Sequence, residues 1–154
     1  MRKTISAAAL PRLERTEEGL NLSQTASVEV TSEDPDFPIE EAFECHGARG
    51  WRAAAPGDQQ IRITLDAPTH VRRIQLRFCE TAVERTQEFT LRSYSADCTP
   101  TVIVRQQWNF SPAGSTVEFE DYHVDLEAVS ALELTIRPAL DGDAVASLDC
   151  WRIA

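Results

Sequence analysis

Asp58-Gln59-Gln60-Ile61-Arg62-Ile63-Thr64-Leu65-Asp66 is the stretch that decides the fold. Ile61, Ile63 and Leu65 share one side at a period of two, with Gln60, Arg62 and Thr64 on the other, the signature of a strand with one buried face. The same alternation returns in Ile74-Gln75-Leu76-Arg77-Phe78, Phe89-Thr90-Leu91, Val117-Glu118-Phe119, Val124-Asp125-Leu126 and Leu132-Glu133-Leu134-Thr135-Ile136. Val102-Ile103-Val104 is β-branched throughout, and Ser27-Val28-Glu29-Val30 is a further short strand.

Turn chemistry stands between these runs: Ala55-Pro56-Gly57-Asp58, Asp66-Ala67-Pro68, Cys98-Thr99-Pro100, Ser111-Pro112-Ala113-Gly114 and Asp141-Gly142-Asp143. Helical periodicity is confined to residues 12–18 and 39–43, neither with a long apolar stripe. Short strands joined by hairpin-scale links predict an all-β fold, a single-domain β-sandwich of jelly-roll type over residues 21–154, after an irregular segment at 1–20. Strands that alternate in direction gather alternate links at one end. Counted from Gln59, the longer links (44–58, 80–86, 110–115 and 138–146) share one end, and the shorter ones (66–70, 96–100 and 127–131) the other. Long loops on one rim of a β-scaffold are where binding sites are usually built.

Composition narrows the function. At 154 residues the chain has the length of one domain. Fifteen basic residues against 25 acidic give a net charge of −10. Such a surface repels a phosphate backbone, so no nucleic-acid partner is expected. Apolar runs such as Ala7-Ala8-Ala9-Leu10 are too short to cross a bilayer, and no membrane partner is expected. The basic start Met1-Arg2-Lys3 is followed by too brief an apolar run for a signal peptide, which points to a cytoplasmic location. Every basic residue except Lys3 is arginine, whose planar fork suits carboxylates and hydroxyl-rich ligands. The spacing of Cys45, Cys79, Cys98 and Cys150 matches no compact disulfide framework, and free thiols are the expectation.

Several segments resemble the galactose-binding-like superfamily, which includes the discoidin and coagulation-factor C-type domains and many bacterial carbohydrate-binding modules. Ala26-Ser27-Val28 is similar to that family's opening strand, and Pro38-Ile39-Glu40-Glu41-Ala42-Phe43 followed by Gly50-Trp51-Arg52 to its short turn and loop tryptophan. The run from Asp58 to Asp66 resembles the next strand, Val71 to Phe78 the one after, and Ala146-Ser147-Leu148 the closing strand. The likeness implies a galactose-binding domain-like sandwich that binds a carbohydrate or similar polar small ligand; an intracellular protein-interaction module is the alternative, with a protein as partner. Where family members carry an Asp-Gly pair near a calcium ion, this chain reads Phe43-Glu44-Cys45-His46-Gly47-Ala48, and the position of a calcium-ligating glutamate is Cys150. A thiol is a poor ligand for a hard cation, so no cofactor is expected and calcium is disfavoured.

Catalytic signatures are lacking. There is no Gly-x-Ser-x-Gly elbow, the sequence neighbours Cys45 and His46 are not thereby a dyad, and His46, His70 and His123 are scattered with no closely spaced cysteine pair for zinc. Carboxylates alternate with apolar residues as a solvated strand face requires, so a paired-acid enzyme is not expected. A sugar site combines a stacking ring with hydrogen-bonding forks. Trp51 and Trp151 are assigned to packing, and Trp108, at the end of a strand reaching the long-loop rim, is the candidate ring. Asn109 beside it, Arg49 and Arg52 in one rim loop, and Glu80, Glu84 and Arg85 in the next complete the candidate ligand-binding set.

Overall fold

The computed structural model describes residues 19–45 and 49–154. The predicted helix at 12–18, nearly all of the 1–20 segment and His46 lie outside the described residues. In chain order the elements are α1 (Leu22–Thr25), β1 (Ala26–Val30), α2 (Ile39–Glu44), β2 (Trp51–Pro56), β3 (Gln59–Cys79), β4 (Arg85–Ser95), β5 (Pro100–Phe110), β6 (Val117–Arg137), β7 (Val145–Leu148) and β8 (Cys150–Ile153).

β3 and β6 are 21 residues each and pair antiparallel from Gln59 opposite Ile136 to Cys79 opposite Val117. Half-way along, each changes neighbours. The first half of β3 lies between β1 and the second half of β6, and its second half lies between β8 and the first half of β6. β4 and then β5 extend the sheet beyond the second half of β6. The β3–β6 register shifts three times between Thr64 and Arg73. Pro68, which has no N–H to give, falls in this interrupted stretch, and in the matching stretch of β6 Ala128 takes a left-handed φ of 52°, as bulged residues do. The ribbon folds over there. Phe78 in the second half of β3 consequently stacks on Phe89 of β4 with centroids 5.3 Å apart, although these strands share no ladder. The links expected at 66–70 and 127–131 are therefore folds within continuous strands, not turns. The sandwich and the division of loops between its ends stand.

The core lies between the two halves. Trp51, Ile61, Ile63, Ile74, Leu76, Phe78, Leu132, Leu134 and Trp151 are all fully buried. Glu118 corrects the expected pattern: it is fully buried while its neighbours Val117 and Phe119 are only half-buried, so the inward positions of early β6 are the even ones. β2 and β7 form a separate two-stranded sheet. Gly50, just before β2, has φ 58°, and a Cβ there would stand 2.5 Å from the Leu148 carbonyl oxygen. Gly50→Ala is expected to destabilise the fold by about 1–3 kcal/mol, read by urea denaturation, because both the backbone and β7 would have to give way.

The cysteine expectation is corrected as well. Cys45, the left-handed C-cap of α2, is bonded to Cys150 at the start of β8, with Cα atoms 5.0 Å apart; Cys79 and Cys98 are free. The ring contact of Phe43 with Trp151 at 6.2 Å joins the same two elements. Spacing along the chain says nothing of that distance, because the fold brings together residues 105 apart.

Candidate functional site

Because β3 and β6 double back, both ends of each reach one end of the sandwich, together with the start of β4 and the end of β5. Backbone bonds tie the loops there: Glu80 N–H to the Thr116 carbonyl at 2.8 Å, Leu140 N–H to Thr86 at 3.0 Å, and Gly57 N–H to Ala144 at 3.1 Å. Between them opens a cleft of about 500 Å³ lined by Glu84, Arg85, Thr86, Asn109, Phe110, Ser111 and Asp141.

Arg85 is its buried anchor, 7% exposed. Its Nε donates to Glu80 Oε1 at 2.8 Å, and its Nη1 to Gln87 Oε1 at 3.0 Å and to the Pro138 carbonyl at 2.7 Å. The guanidinium lies 4.8 Å from the centroid of the Phe110 ring. Among the described residues no protein group accepts from Nη2. Burial pushes the Glu80 carboxyl up, but the bond from Arg85 and the N–H groups of Ala82 and Val83 outweigh it and hold that carboxyl below the usual range. Glu80 is thus the ionised counter-charge of Arg85. On the opposite wall Asn109 Oδ1 accepts from Thr86 Oγ1 at 2.7 Å. Glu84 and Asp141 are exposed and have no hydrogen-bond or ion-pair partner among the described residues.

Of the sequence-predicted site residues, the cleft brings together Glu84, Arg85 and Asn109, with Glu80 behind Arg85. Arg49 and Arg52 form a separate cluster: both guanidinium groups lie over the Phe37 ring, at 5.3 and 4.5 Å. Trp108 does not present a stacking ring. It packs against the core with its Nε1 buried and unpartnered, opposite the fully buried Gln87. Phe110, two residues on, is buried on the same face, and that period of two is the signal by which the sequence could have turned Trp108 inward. Thr86, Ser111, Asp141, Gln87 and the Pro138 carbonyl went unrecognised; a polar residue in a strand and a loop carbonyl carry no signature of their own.

Behind Gln87 sits a sealed acid. Gln87 Nε2 donates to Glu118 Oε1 at 3.4 Å, and Glu118 Oε2 is buried without a partner. Burial first, then the adjacent Glu120 carboxyl, push Glu118 up to about 8, against the opposing pull of Gln87 and Arg85. Tyr122, which donates to Glu120 at 3.1 Å, is also raised, chiefly by burial. The native state therefore keeps a proton on Glu118 that the unfolded chain releases above its ordinary pKa. Stability falls as pH rises from about 4.5 and levels off above about 8. Glu118→Gln, neutral in both states, is expected to be more stable than the wild type at pH 8 by about 2 kcal/mol and to lose that advantage near pH 4.5; paired urea titrations at the two pH values check it.

At the position the resemblance gives to a ligating glutamate stands Cys150, whose sulfur is spent on Cys45. Among the described residues no three His, Cys, Asp or Glu side chains converge on a metal-sized space.

Another groove, about 590 Å³, runs between α1, β1 and α2, with Leu20, Leu22, Ala26, Val28, Ile39 and Phe43 forming the apolar part of its lining. Its polar lining is Asn21, Glu40 and Glu44, with no counterpart to the guanidinium and hydroxyl groups of the loop-end cleft.

No protein-family model matches the chain, and no curated protein does. Solved structures do. A family 32 carbohydrate-binding module from Clostridium perfringens NanJ, in complex with galactose, superposes with a TM-score of 0.62 at 13% identity, covering 88% of this chain and 96% of that one. The fold is that of the galactose-binding-like carbohydrate-binding modules. A further example is the family 32 module of AlyQ in complex with 4,5-unsaturated mannuronic acid, with a TM-score of 0.57 at 18% identity over 83% of this chain and 93% of that one. The same sandwich is found in the N-terminal domain of the single-strand break repair protein XRCC1, with a TM-score of 0.59 at 12% identity, covering 80% of this chain and 91% of that one. Sandwiches of this kind thus serve more than one purpose, and function has to be argued from the site.

Proposed function

We propose that the chain is a non-catalytic module that binds a saccharide in the loop-end cleft. One observation carries this reading: Arg85 is anchored on three sides, yet its Nη2 donors are unclaimed by any described residue in a cleft that also presents an amide, two hydroxyls and two carboxylates. Such a constellation matches the alternating donors and acceptors of a polyol, and a pre-fixed fork loses little entropy on binding. The galactose and mannuronic acid complexes of similar modules agree with this ligand class. Catalysis fits the site poorly. The close acid pair, Glu118 and Glu120, lies outside the cleft lining, and Glu118 is sealed from solvent. The large apolar side chains exposed among the described residues, Val83 in the β3–β4 loop, Val102 in β5 and Val145 in β7, stand on three separate segments, which favours a saccharide over a protein partner.

Titration calorimetry against a panel of neutral and charged oligosaccharides tests the proposal. Binding near millimolar, about −4 kcal/mol, is expected for at least one of them, with Asn109→Ala weakening it several-fold. No heat from any member up to 10 mM would overturn it.

A further inference from the structure

We infer that the cleft prefers a saccharide carrying a free amino group, a hexosamine in its ammonium form, over the neutral and acidic sugars of the same size. This deepens the saccharide reading of the same cleft and rests on it.

The charges of the cleft are sorted by depth. At its base the Arg85 cation is matched by the ionised Glu80 at 2.8 Å, so the pair presents hydrogen-bond donors with little net charge. At its mouth Glu84 and Asp141 are exposed, and among the described residues neither has a partner and no second cation lines the cleft. One cation thus stands against three carboxylates, within a chain whose net charge is −10. The field over the opening is negative, and a concave wall strengthens it.

A ligand meets two demands here. The Nη2 donors of Arg85 need lone pairs, which any sugar hydroxyl supplies. The mouth carboxylates need a cation, which a neutral sugar lacks. A uronic acid meets the first demand and fails the second: the charge of Arg85 is already matched by Glu80, and the added carboxylate would approach Glu84 and Asp141 as a like charge. An amino sugar places hydroxyls and an ammonium on one small ring. Each exposed ion pair contributes only modestly, so the preference over the N-acetylated sugar should be about tenfold.

The test is titration calorimetry at about pH 6 and low salt with five probes: tetramers of glucosamine and of galactosamine, each free and fully N-acetylated, and a galacturonate tetramer as the acidic comparison. The expected result is about tenfold tighter binding of a free amino tetramer than of its acetylated counterpart. That preference should shrink in 0.5 M salt and disappear in the double variant Glu84→Gln/Asp141→Asn. Equal or tighter binding of the acetylated or acidic tetramers, or a preference that survives the double variant, would overturn the inference and leave the saccharide reading standing. No binding of any tetramer, or binding unchanged when Ser111→Trp fills the cleft, would overturn both.

Discussion

Reducing the Cys45–Cys150 disulfide should lower the unfolding midpoint by roughly 10–20 °C. The bond closes a loop of 105 residues, and cross-linking a loop of that length restricts the unfolded chain by about 4.7 kcal/mol. In a domain of this size each kcal/mol moves the midpoint by about 2–4 °C. The native state has reason to keep the bond, since it ties the end of α2 to β8, beside the Phe43–Trp151 contact. Calorimetric scans of the oxidised protein and of Cys45→Ser/Cys150→Ser give the comparison without reductant in the cell, and coincident midpoints would refute the expectation. Thiol titration of denatured, unreduced protein should then count two groups, Cys79 and Cys98. Such a bond is rare in the reducing cytosol, so a count of two in protein taken directly from its cell would argue against the cytoplasmic location expected from the sequence, and a count of four would favour it.

Arg85→Met should cost about 3–5 kcal/mol and remove saccharide binding. The side chain is buried, and deleting the guanidinium strands Glu80, Gln87 Oε1 and the Pro138 carbonyl at once. The decisive readout is the companion variant Arg85→Met/Glu80→Gln. With the orphaned carboxylate neutralised, part of the lost stability should return in urea titrations, while binding should stay absent because Nη2 is gone. Recovery of binding in that double variant would show that Arg85 serves the fold and not the ligand.

Much of this architecture was legible in the residue pattern because burial at period two leaves a direct trace in sequence. Ile61-Arg62-Ile63-Thr64-Leu65 and Leu132-Glu133-Leu134-Thr135-Ile136 are neighbours in the ladder and were recognisable separately. What failed was local chemistry overruled by tertiary context. Asp66-Ala67-Pro68 has the composition of a turn, yet here the proline falls where the β3–β6 ladder is already interrupted. Glu118 sits between two apolar residues and should have faced water, but early β6 turns it toward Gln87. That Glu84, Arg85 and Asn109 come together at one end was legible because strand alternation fixes which links share an end. The place of Trp108 along its strand points to the rim, but the face it shares with the buried Phe110 turns it toward the core. The anchoring of Arg85 by Gln87 and Pro138, residues 2 and 53 positions away, could be seen only once β4 and the loop after β6 were side by side.

The most direct measurement is a glycan-array screen of the wild-type chain beside Ser111→Trp, a substitution in the cleft lining chosen to fill the cleft with an added ring. Reproducible saccharide signals from the wild type that vanish in the variant are the predicted result. A blank array for the wild type, or the same signals from both proteins, would contradict a saccharide site in this cleft.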